Sequence, residues 1–366
     1  MAKLRMAIVG AGGMANMHAG VIQKIEEVQL TAVADINVEA AQRLAAKHSI
    51  RAYGDHKELL KKERPDFVLV VTPHPIHPVI TVDAFKAGAH VLSEKPMASN
   101  PADADRMIAA AEKHGKLLGV MFQQRTEAPR RKLRDMVQGG ELGAVYRVEM
   151  VSTWYRSQAY YDSGTWRGTW GGEGGGVLLN QAPHDLDQFV WITGVPAEVA
   201  GVVETRLHSI EVEDSASALV RYANGARGYF HTSTVEQPEV YRLEICGDRG
   251  KVLFDGRTIR RWTLPAAISE VTSSTKESMP ASGAKEEVVE VPAVPAGHGE
   301  MTRDFAKAIM ENRQPLAPGR EAIVSLELAA AMILSSHRAR PVSLPLNRGA
   351  YSRFLREKCR TSRFKG

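Results

Sequence analysis

Residues 4–15 read LRMAIVGAGGMA, and this stretch decides the fold of the first half of the chain. The apolar run that ends at Val9 predicts a buried strand, and apolar residues then recur at helical spacing. Gly10 permits a tight turn, Gly12 lets a phosphate approach the backbone, and Ala15 is small enough for close helix–strand packing. A pyrophosphate would bind the free N–H groups at the start of that helix. We therefore predict a dinucleotide-binding turn that contacts its cofactor through Gly10, Gly12, Gly13, Met14 and Ala15.

Asp35 closes the second predicted strand, and no basic residue follows it directly. A carboxylate at this place accepts hydrogen bonds from both hydroxyls of the adenosine ribose and repels a 2′-phosphate. We therefore expect NAD rather than NADP as the cofactor. The alternative is that Asp35 only caps the next helix, because Asp is common at helix N-termini.

Strand and helix patterns alternate from the glycine turn to about Phe122, and such alternation is typical of a doubly wound parallel sheet. After about Gly139 the pattern changes to strands that favour antiparallel pairing. The predicted fold class is α/β, with an N-terminal Rossmann domain over residues 1–124. An α+β domain with an open, mainly antiparallel sheet follows over residues 125–345 and is expected to bind substrate and form the oligomer. Residues 346–366 form a basic C-terminal tail.

Within the second domain the sequence predicts one helix over residues 179–193. Residues 265–297 mix Pro, Ser, Glu and Val, and we expect a long excursion there with one strand at residues 287–291. Helices return over residues 300–311 and 320–338, and they are free to pack back onto the Rossmann domain.

Composition argues against a membrane or secreted protein. Of the 366 residues, 44% are apolar, but no apolar run reaches the ~18 residues of a spanning helix. The N-terminus shows no cleavable apolar segment. Cys246 and Cys359 have no metal-type spacing and are expected to be reduced thiols. We therefore predict a cytoplasmic protein with no membrane partner.

The net charge of +5 comes from the C-terminal end. Seven basic residues follow from Arg348 onward, against the single acidic residue Glu357. A solvated face or a subunit contact is the favoured interpretation, and a contact with phosphate or nucleic acid is the alternative. No nucleic-acid partner is expected.

The fifth predicted strand ends in Ser93-Glu94-Lys95-Pro96. Ligands bind beyond the carboxyl ends of the strands in such sheets, so Lys95 would place a cation between cofactor and substrate. Thr72-Pro73 follows the fourth strand, and a glycine-rich run, Gly174-Gly175-Gly176, leads to His184.

With these landmarks the chain resembles the Gfo/Idh/MocA oxidoreductases, the family of glucose–fructose oxidoreductase and inositol dehydrogenase. The resemblance implies that Lys95 contacts substrate and the nicotinamide ribose, and that His184 exchanges the proton of the reacting hydroxyl. It departs from the family pattern at Asn180, where many members carry Asp, and at His74, where many carry Asn. Further cofactor contacts are expected from Thr72, Pro73, His77, Glu94, Lys95 and Gln123.

Asn180 and His184 are four residues apart on the predicted helix, so they are expected to share a face, with Asp187 on the same side. A neutral imidazole with a pKa near 6.5 suits proton transfer at neutral pH, and Lys95 would stabilise alkoxide charge. The predicted catalytic residues are Lys95, His184 and Asn180. For Asn180 the alternative is a helix cap.

Aromatic and guanidinium groups are dense over residues 154–167, and such groups stack on sugars and bind their hydroxyl oxygens. The alternative is a subunit interface, which favours the same residue types. The predicted substrate contacts are Arg125, Trp154, Tyr155, Arg156, Tyr160, Trp166, Arg167, Asn180 and His184. No metal is expected, because no carboxylate–His pair has metal-type spacing.

The expected function is NAD-linked hydride transfer between nicotinamide and a secondary hydroxyl or ketone of a sugar, glycoside or cyclitol. One alternative is an enzyme of the same fold that retains its NAD and hydrolyses glycosides through transient oxidation. Another is a non-enzymatic NAD-responsive regulator, which the presence of Lys95 and His184 disfavours. The expected partners are a small carbohydrate or cyclitol and further copies of the chain, as a dimer or tetramer.

Overall fold

The first part of the chain alternates strands and helices around a parallel sheet. The structure is a computed structural model that describes residues 3–364. The strands are β1 (Leu4–Val9), β2 (Val28–Ala34), β3 (Arg51–Tyr53), β4 (Phe67–Val70), β5 (His90–Ser93) and β6 (Leu118–Val120). The helices between them are α1 (Gly13–Ile22), α2 (Val38–His48), α3 (His56–Glu63), α4 (His77–Lys86) and α5 (Pro101–Lys113).

The sheet has the order β3-β2-β1-β4-β5-β6, and every pair is parallel. All four residues of β4 are buried, as expected for a strand covered by helices on both faces. The order reverses between β1 and β4, and a ligand crevice forms at such a switch point. The predicted doubly wound sheet is confirmed.

The second part is built on a nine-stranded sheet, and its open, mainly antiparallel character is confirmed. Its elements are α6 (Ala128–Gln138), β7 (Val145–Tyr155), α7 (Gln158–Asp162), α8 (Trp170–Glu173), α9 (Pro183–Thr193), β8 (Glu198–Glu204), β9 (Ser215–Arg221), β10 (Arg227–Ser233), β11 (Val235–Gly247), β12 (Gly250–Phe254), β13 (Ile259–Thr263), α10 (Ile268–Ser274), β14 (Lys285–Val288), α11 (His298–Met310), α12 (Gly319–Arg338), β15 (Val342–Ser343) and α13 (Arg348–Thr361). The sheet order is β14-β13-β12-β11-β7-β10-β9-β8-β15, and only β7 and β10 pair in parallel.

The excursion over residues 265–297 differs from the prediction. It contains the short helix α10, which the sequence did not predict, and its strand β14 lies at Lys285–Val288 instead of residues 287–291. β14 pairs only with β13, and all four of its residues are exposed. Without a buried face, no apolar alternation fixes the strand bounds in the sequence.

The chain returns to the first sheet after the second is complete. The Val120 N–H donates to the Ala317 carbonyl at 3.0 Å, and the ring of Phe305 on α11 packs on Phe67 of β4 at 5.6 Å. A Cβ on Gly119 would lie 2.8 Å from the Phe305 ring, so β6 needs glycine there. α12 is buried along most of its length and contacts β8, α9 and α5. The two halves therefore share one packed interface.

The basic C-terminal stretch is mostly helical. α13 is fixed by an ion pair from Arg348 to Glu327 and by a hydrogen bond of 3.0 Å from Ser352 to Asn100. Lys365, counted among the basic residues, lies outside the described residues. No helix in residues 3–364 is both long and apolar enough to cross a bilayer.

Candidate active site

A cleft of about 1290 Å³ opens beyond the carboxyl ends of the parallel strands. It begins at the glycine turn, passes Asp35 and the loop after β4, and reaches Lys95. Residues of the segment between β7 and α9 form its other wall. The cleft therefore joins the predicted cofactor region to the predicted substrate region.

The glycine turn leaves the space that a dinucleotide phosphate needs. Gly10 has φ of +109°, and a Cβ on it would lie 2.4 Å from the Val71 carbonyl oxygen. A Cβ on Gly12 or Gly13 would meet nothing within 4 Å, and both residues line the cleft. Ala15 is fully buried where α1 packs on the sheet. Because the first turn of α1 supplies unpaired N–H groups beside this space, the residues fit a pyrophosphate.

Asp35 bridges the turn and the second strand. One carboxylate oxygen accepts the Ala11 N–H at 2.6 Å, and the other accepts the Asn37 N–H at 2.7 Å. Asn37 caps α2 through its own side chain, so Asp35 is not the cap of that helix. Met14 and Ile36 also line the cleft, with 45% and 96% of their surface exposed. These apolar faces are suited to an adenine ring.

The loop after β4 reaches the cleft through Thr72, Pro73 and His74. His77 does not line it. The ring of His77 is fully buried, with Nε2 2.7 Å from the Thr72 carbonyl oxygen and Nδ1 3.1 Å from that of Pro96. His77 therefore links the loop to the segment after β5, and His74 is the histidine of this loop that lines the cleft.

Glu94 lines the cleft and is anchored from behind by His18. The His18 Nε2 lies 2.6 Å from a Glu94 carboxylate oxygen. Burial acts to raise the pKa of Glu94, but the hydrogen bond and charge of His18 outweigh it and lower this pKa to about 2. Glu94 is therefore an anion at neutral pH.

His298 completes a group with His18 and Glu94, and one ligand atom of each lies within 4.8 Å of the others. Two imidazoles and a carboxylate suit a divalent ion. His18 Nε2 and a carboxylate oxygen of Glu94 are already hydrogen-bonded to each other. The absence of a metal stays a prediction.

Lys95 lies at the boundary between the two regions of the cleft. Its Nζ donates to the Asn180 carbonyl at 3.0 Å, and its N–H donates to the Glu94 carboxylate at 3.1 Å. Burial lowers the pKa of Lys95, and the charges of Glu94, Asp185 and Glu173 oppose that decrease. A cation here can stabilise negative charge on a reacting oxygen.

His184 lies against Gln123 and, unlike Lys95, does not line the cleft, so its substrate contact stays a prediction. Its Nε2 is 3.2 Å from the Gln123 side-chain nitrogen, and its Nδ1 is buried with no partner among the described residues. Burial lowers the pKa of His184 well below the ordinary value, and the charge of Lys95 acts in the same direction. His184 is therefore a neutral imidazole that can accept a proton. Gln123 does not line the cleft, and its cofactor contact stays a prediction.

Asn180 does not share a helix face with His184, so that prediction is wrong. Val177–Gln181 form a π-helical turn, and α9 begins at Pro183. Proline lacks an N–H and disfavours helical backbone in the residue before it, so α9 cannot extend back to Asn180. Asn180 still lines the cleft, and its side-chain amide donates to the carboxylate of Glu173.

Four residues of the aromatic segment line the cleft: Arg156, Tyr160, Trp166 and Arg167. The Arg167 guanidinium lies 4.4 Å from the Trp166 ring centroid and 4.6 Å from that of Tyr160, and it donates to the Tyr160 hydroxyl at 2.7 Å. The cleft wall here is therefore formed by packed π faces and N–H donors.

Two other residues of the segment do not line the cleft. The Trp154 indole N–H lies 3.3 Å from the side-chain oxygen of Gln181. Tyr155 is 44% exposed, and its carbonyl accepts from Arg156. Their substrate contacts stay predictions.

Arg125 is not in the cleft, contrary to prediction. It is 1% exposed, and its guanidinium donates to both carboxylate oxygens of Asp187, at 2.7 and 3.0 Å. It also donates to Glu321 at 2.7 Å and to the Leu316 carbonyl at 3.1 Å. Because both carboxylate oxygens of Asp187 bond to Arg125, Asp187 does not pair with His184 as predicted. Arg125 therefore ties the start of the second domain to α9 and α12.

Gln181, Phe364 and Glu173 are among the residues at the site that the sequence patterns did not indicate. Gln181 lines the cleft and binds Arg156 at 3.0 Å and Tyr160 at 2.6 Å. Its position next to Asn180 was an available signal. Phe364 lines the cleft from the C-terminus, and Glu173 lies behind Asn180. No local pattern marks either residue.

Comparisons with known proteins agree with this geometry. The domain described as "Oxidoreductase family, NAD-binding Rossmann fold" matches residues 4–122, and the "GFO/IDH/MocA C-terminal domain" matches residues 130–253. D-glucoside 3-dehydrogenase of Escherichia coli is 31% identical over 283 residues, which cover 69% of this chain and 77% of that protein.

Myo-inositol 2-dehydrogenase of Thermotoga maritima is 25% identical over 93% of this chain and 98% of its own length. The WlbA dehydrogenase of Chromobactrium violaceum, solved with NADH and UDP-GlcNAcA, superposes with a TM-score of 0.82 at 32% identity, covering 94% of this chain and 97% of that one. The chain therefore belongs to the Gfo/Idh/MocA family of NAD-dependent oxidoreductases.

Proposed function

We propose that this chain catalyses the reversible NAD-linked oxidation of a secondary hydroxyl on a sugar, glycoside or cyclitol. The observation that carries the proposal is the position of Lys95, which lines the cleft between the glycine turn and the wall formed by Tyr160 and Arg167. The neutral His184 is near enough for the charge of Lys95 to lower its pKa, although its ring is not part of the cleft lining. The names of the relatives support the substrate class, because they act on a D-glucoside and on myo-inositol.

In the proposed reaction His184 and Lys95 have different roles. The bound NAD supplies the acceptor for the hydride of the carbinol carbon. His184 takes the hydroxyl proton, which its neutral imidazole is free to do at pH 7. Lys95 stabilises the negative charge that grows on the same oxygen as the proton leaves. In the reverse direction His184 returns the proton to the alkoxide.

The remaining cleft residues hold the two ligands. Asp35 binds the adenosine ribose and the glycine turn binds the pyrophosphate. In this proposal Arg156, Arg167 and Asn180 bond the hydroxyls of the sugar, and the Tyr160 and Trp166 rings stack on its C–H faces. All five residues line the cleft, which supports these assignments. The contacts assigned to these residues are our proposals.

The test is replacement of Lys95 by Ala, with NADH formation measured over a panel of glucosides and cyclitols. We expect kcat to fall about 10²–10³-fold, as when one electrostatic donor is removed from a reaction site. The Kd for NAD should stay measurable by calorimetry, because the glycine turn and Asp35 are untouched.

Lys113→Ala is the matched control, since Lys113 is exposed at the end of α5 and is not among the residues that line the cleft. An unchanged kcat in the Lys95 variant would remove the proposed role. Cleavage of a glycosidic bond without net NADH would point instead to the NAD-retaining hydrolase.

We further propose that the protein is cytoplasmic and a homo-oligomer. The free thiol of Cys246 favours a reducing compartment. Val202 of β8 and Leu219 of β9 are 56% and 64% exposed, and they leave apolar surface on the large sheet for a second copy of the chain. We retain the division at residues 124 and 345 as the proposed domain boundaries.

A further inference from the structure

Glu173 is a buried carboxyl group next to the cleft that the proposed mechanism does not use. It is the last residue of α8, and Gly174 follows with φ of +79°. A Cβ on Gly174 would lie 2.7 Å from the side chain of Ser99, so the chain must turn here with glycine. Glu173 itself is 1% exposed. Its position is therefore fixed by the backbone on both sides.

Both carboxylate oxygens of Glu173 are engaged by uncharged donors. One accepts the Gly168 N–H at 2.6 Å, and the other accepts the side-chain amide of Asn180. Within residues 3–364 no cation forms an ion pair with this carboxylate. Arg167 and Lys95 act on it only at longer range, and Glu213 opposes them. The side chain that contacts the buried Glu173 carboxylate directly is therefore that of Asn180.

The contact with Glu173 determines what Asn180 offers to the cleft. Because the Nδ2 group donates to Glu173, the Oδ1 atom is left as an acceptor, and the Gln181 amide lies 3.3 Å from it. The backbone carbonyl of Asn180 holds the Lys95 Nζ at 3.0 Å. The Glu173 carboxylate therefore orients the side-chain amide of Asn180, and the backbone of Asn180 orients the ammonium group of Lys95.

We propose that Glu173 is a positioning residue for hydride transfer, which acts by holding Asn180 and, through it, Lys95. The inference rests on the proposed function. It also accounts for the amide at position 180, where the family resemblance implies a carboxylate: this chain carries its negative charge one contact further from the substrate, at Glu173.

The charges around Glu173 make this role dependent on pH. Burial raises the pKa of Glu173 to about 7, although the Gly168 hydrogen bond opposes the increase. The groups that face it are Arg167, Lys95, Glu213, His74 through the Glu173 carbonyl, and Tyr161. The ionised carboxylate raises the pKa of Lys95 against the effect of burial. Above pH 7, Glu173 therefore helps to keep Lys95 protonated.

The experiment compares the pH profiles of kcat for the wild type and Glu173→Gln. At pH 8 we expect kcat of the variant to fall about tenfold to a hundredfold, the size of losing one hydrogen bond to a charged group. Below pH 6 the two profiles should converge, because Glu173 is then protonated and uncharged in the wild type. The Kd for NAD should not change.

The double variant Glu173→Gln/Asn180→Asp exchanges the carboxylate and the amide across the same contact. It should regain most of the activity at pH 8. Glu244→Gln is the matched control, because Glu244 is also buried but pairs with Arg147 and Arg242 on the large sheet. It should lose stability and keep the wild-type pH profile.

Equal kcat in the wild type and Glu173→Gln across the pH range would overturn the inference and leave the proposed function intact. A loss of kcat that is the same at every pH and is not regained in the double variant would also overturn it, as a purely structural effect. A wild type without dehydrogenase activity on the panel would instead refute the proposed function.

Discussion

Replacement of Arg125 by Met tests whether this residue supports the fold, as its position indicates, or binds substrate. The change removes the guanidinium and keeps a long apolar side chain against the rings of Trp191 and Phe122, which lie 5.1 and 5.9 Å away. Asp187 is then left without a cation at a site where it is 0% exposed. Glu321, at 54% exposure, can turn to water.

The expected loss in the free energy of unfolding comes from the Asp187 carboxylate, which is left buried without a cation. Removal of one partner from a buried ion pair destabilises a protein by about 3–5 kcal/mol. An unfolding entropy of about 2.1 cal/mol/K per residue over 366 residues converts this loss into a Tm lower by about 4–6.5 °C. Removal of both charges in Arg125→Met/Asp187→Leu should restore most of the stability, because the second change removes the unpaired anion.

The assay is thermal and urea unfolding of the two variants, together with KM for the substrate measured well below Tm. Arg131→Met is the control, since Arg131 is exposed on α6, and it should change the free energy of unfolding by less than about 0.5 kcal/mol. A wild-type Tm together with a raised KM for the sugar in Arg125→Met would contradict this prediction, because that result would indicate a substrate contact.

Two further predictions concern the cofactor and the metal. Replacement of Asp35 by Ser removes the acceptor for the ribose hydroxyls and the negative charge that repels a 2′-phosphate, so the Kd for NAD should rise about tenfold or more. The preference for NAD over NADP should narrow in calorimetric titrations, and a wild type that binds NADP more tightly would contradict the assignment. Incubation with EDTA should leave the wild-type turnover unchanged, because the mechanism uses no ion at His18, Glu94 and His298; a loss that Zn²⁺ restores would show that this group holds a metal.

Much of the fold follows from local patterns. The glycine turn at residues 10–15, the acidic end of β2 at Asp35 and the continuous apolar run of β4 each depend on a few neighbouring residues, and the structure places them as expected. The position of Lys95 could be predicted for a similar reason. It follows β5 directly, and the carboxyl ends of parallel strands all lie at the edge of the sheet where ligands bind.

The parts that could not be predicted depend on distant contacts. Nothing near Arg125 in the sequence reveals Asp187 and Glu321, which reach it from α9 and from α12. The π-helical turn at Asn180 follows from Pro183 together with the close packing of Gly176, whose Cβ would lie 1.8 Å from the Glu213 carbonyl oxygen. Helical periodicity alone could not separate that turn from α9.

The pairing of Val120 with Ala317, and of Phe67 with Phe305, has a consequence for biosynthesis. A ribosome releases the six parallel strands early, but the helix that covers β4 and the strand edge at β6 arrives only when the chain has been made past Pro318. The apolar surface of the parallel sheet is thus covered only by residues from the last third of the chain. A chain that ends or stalls before Pro318 leaves this apolar face uncovered, and exposed apolar surface of this kind makes a folding intermediate prone to aggregation.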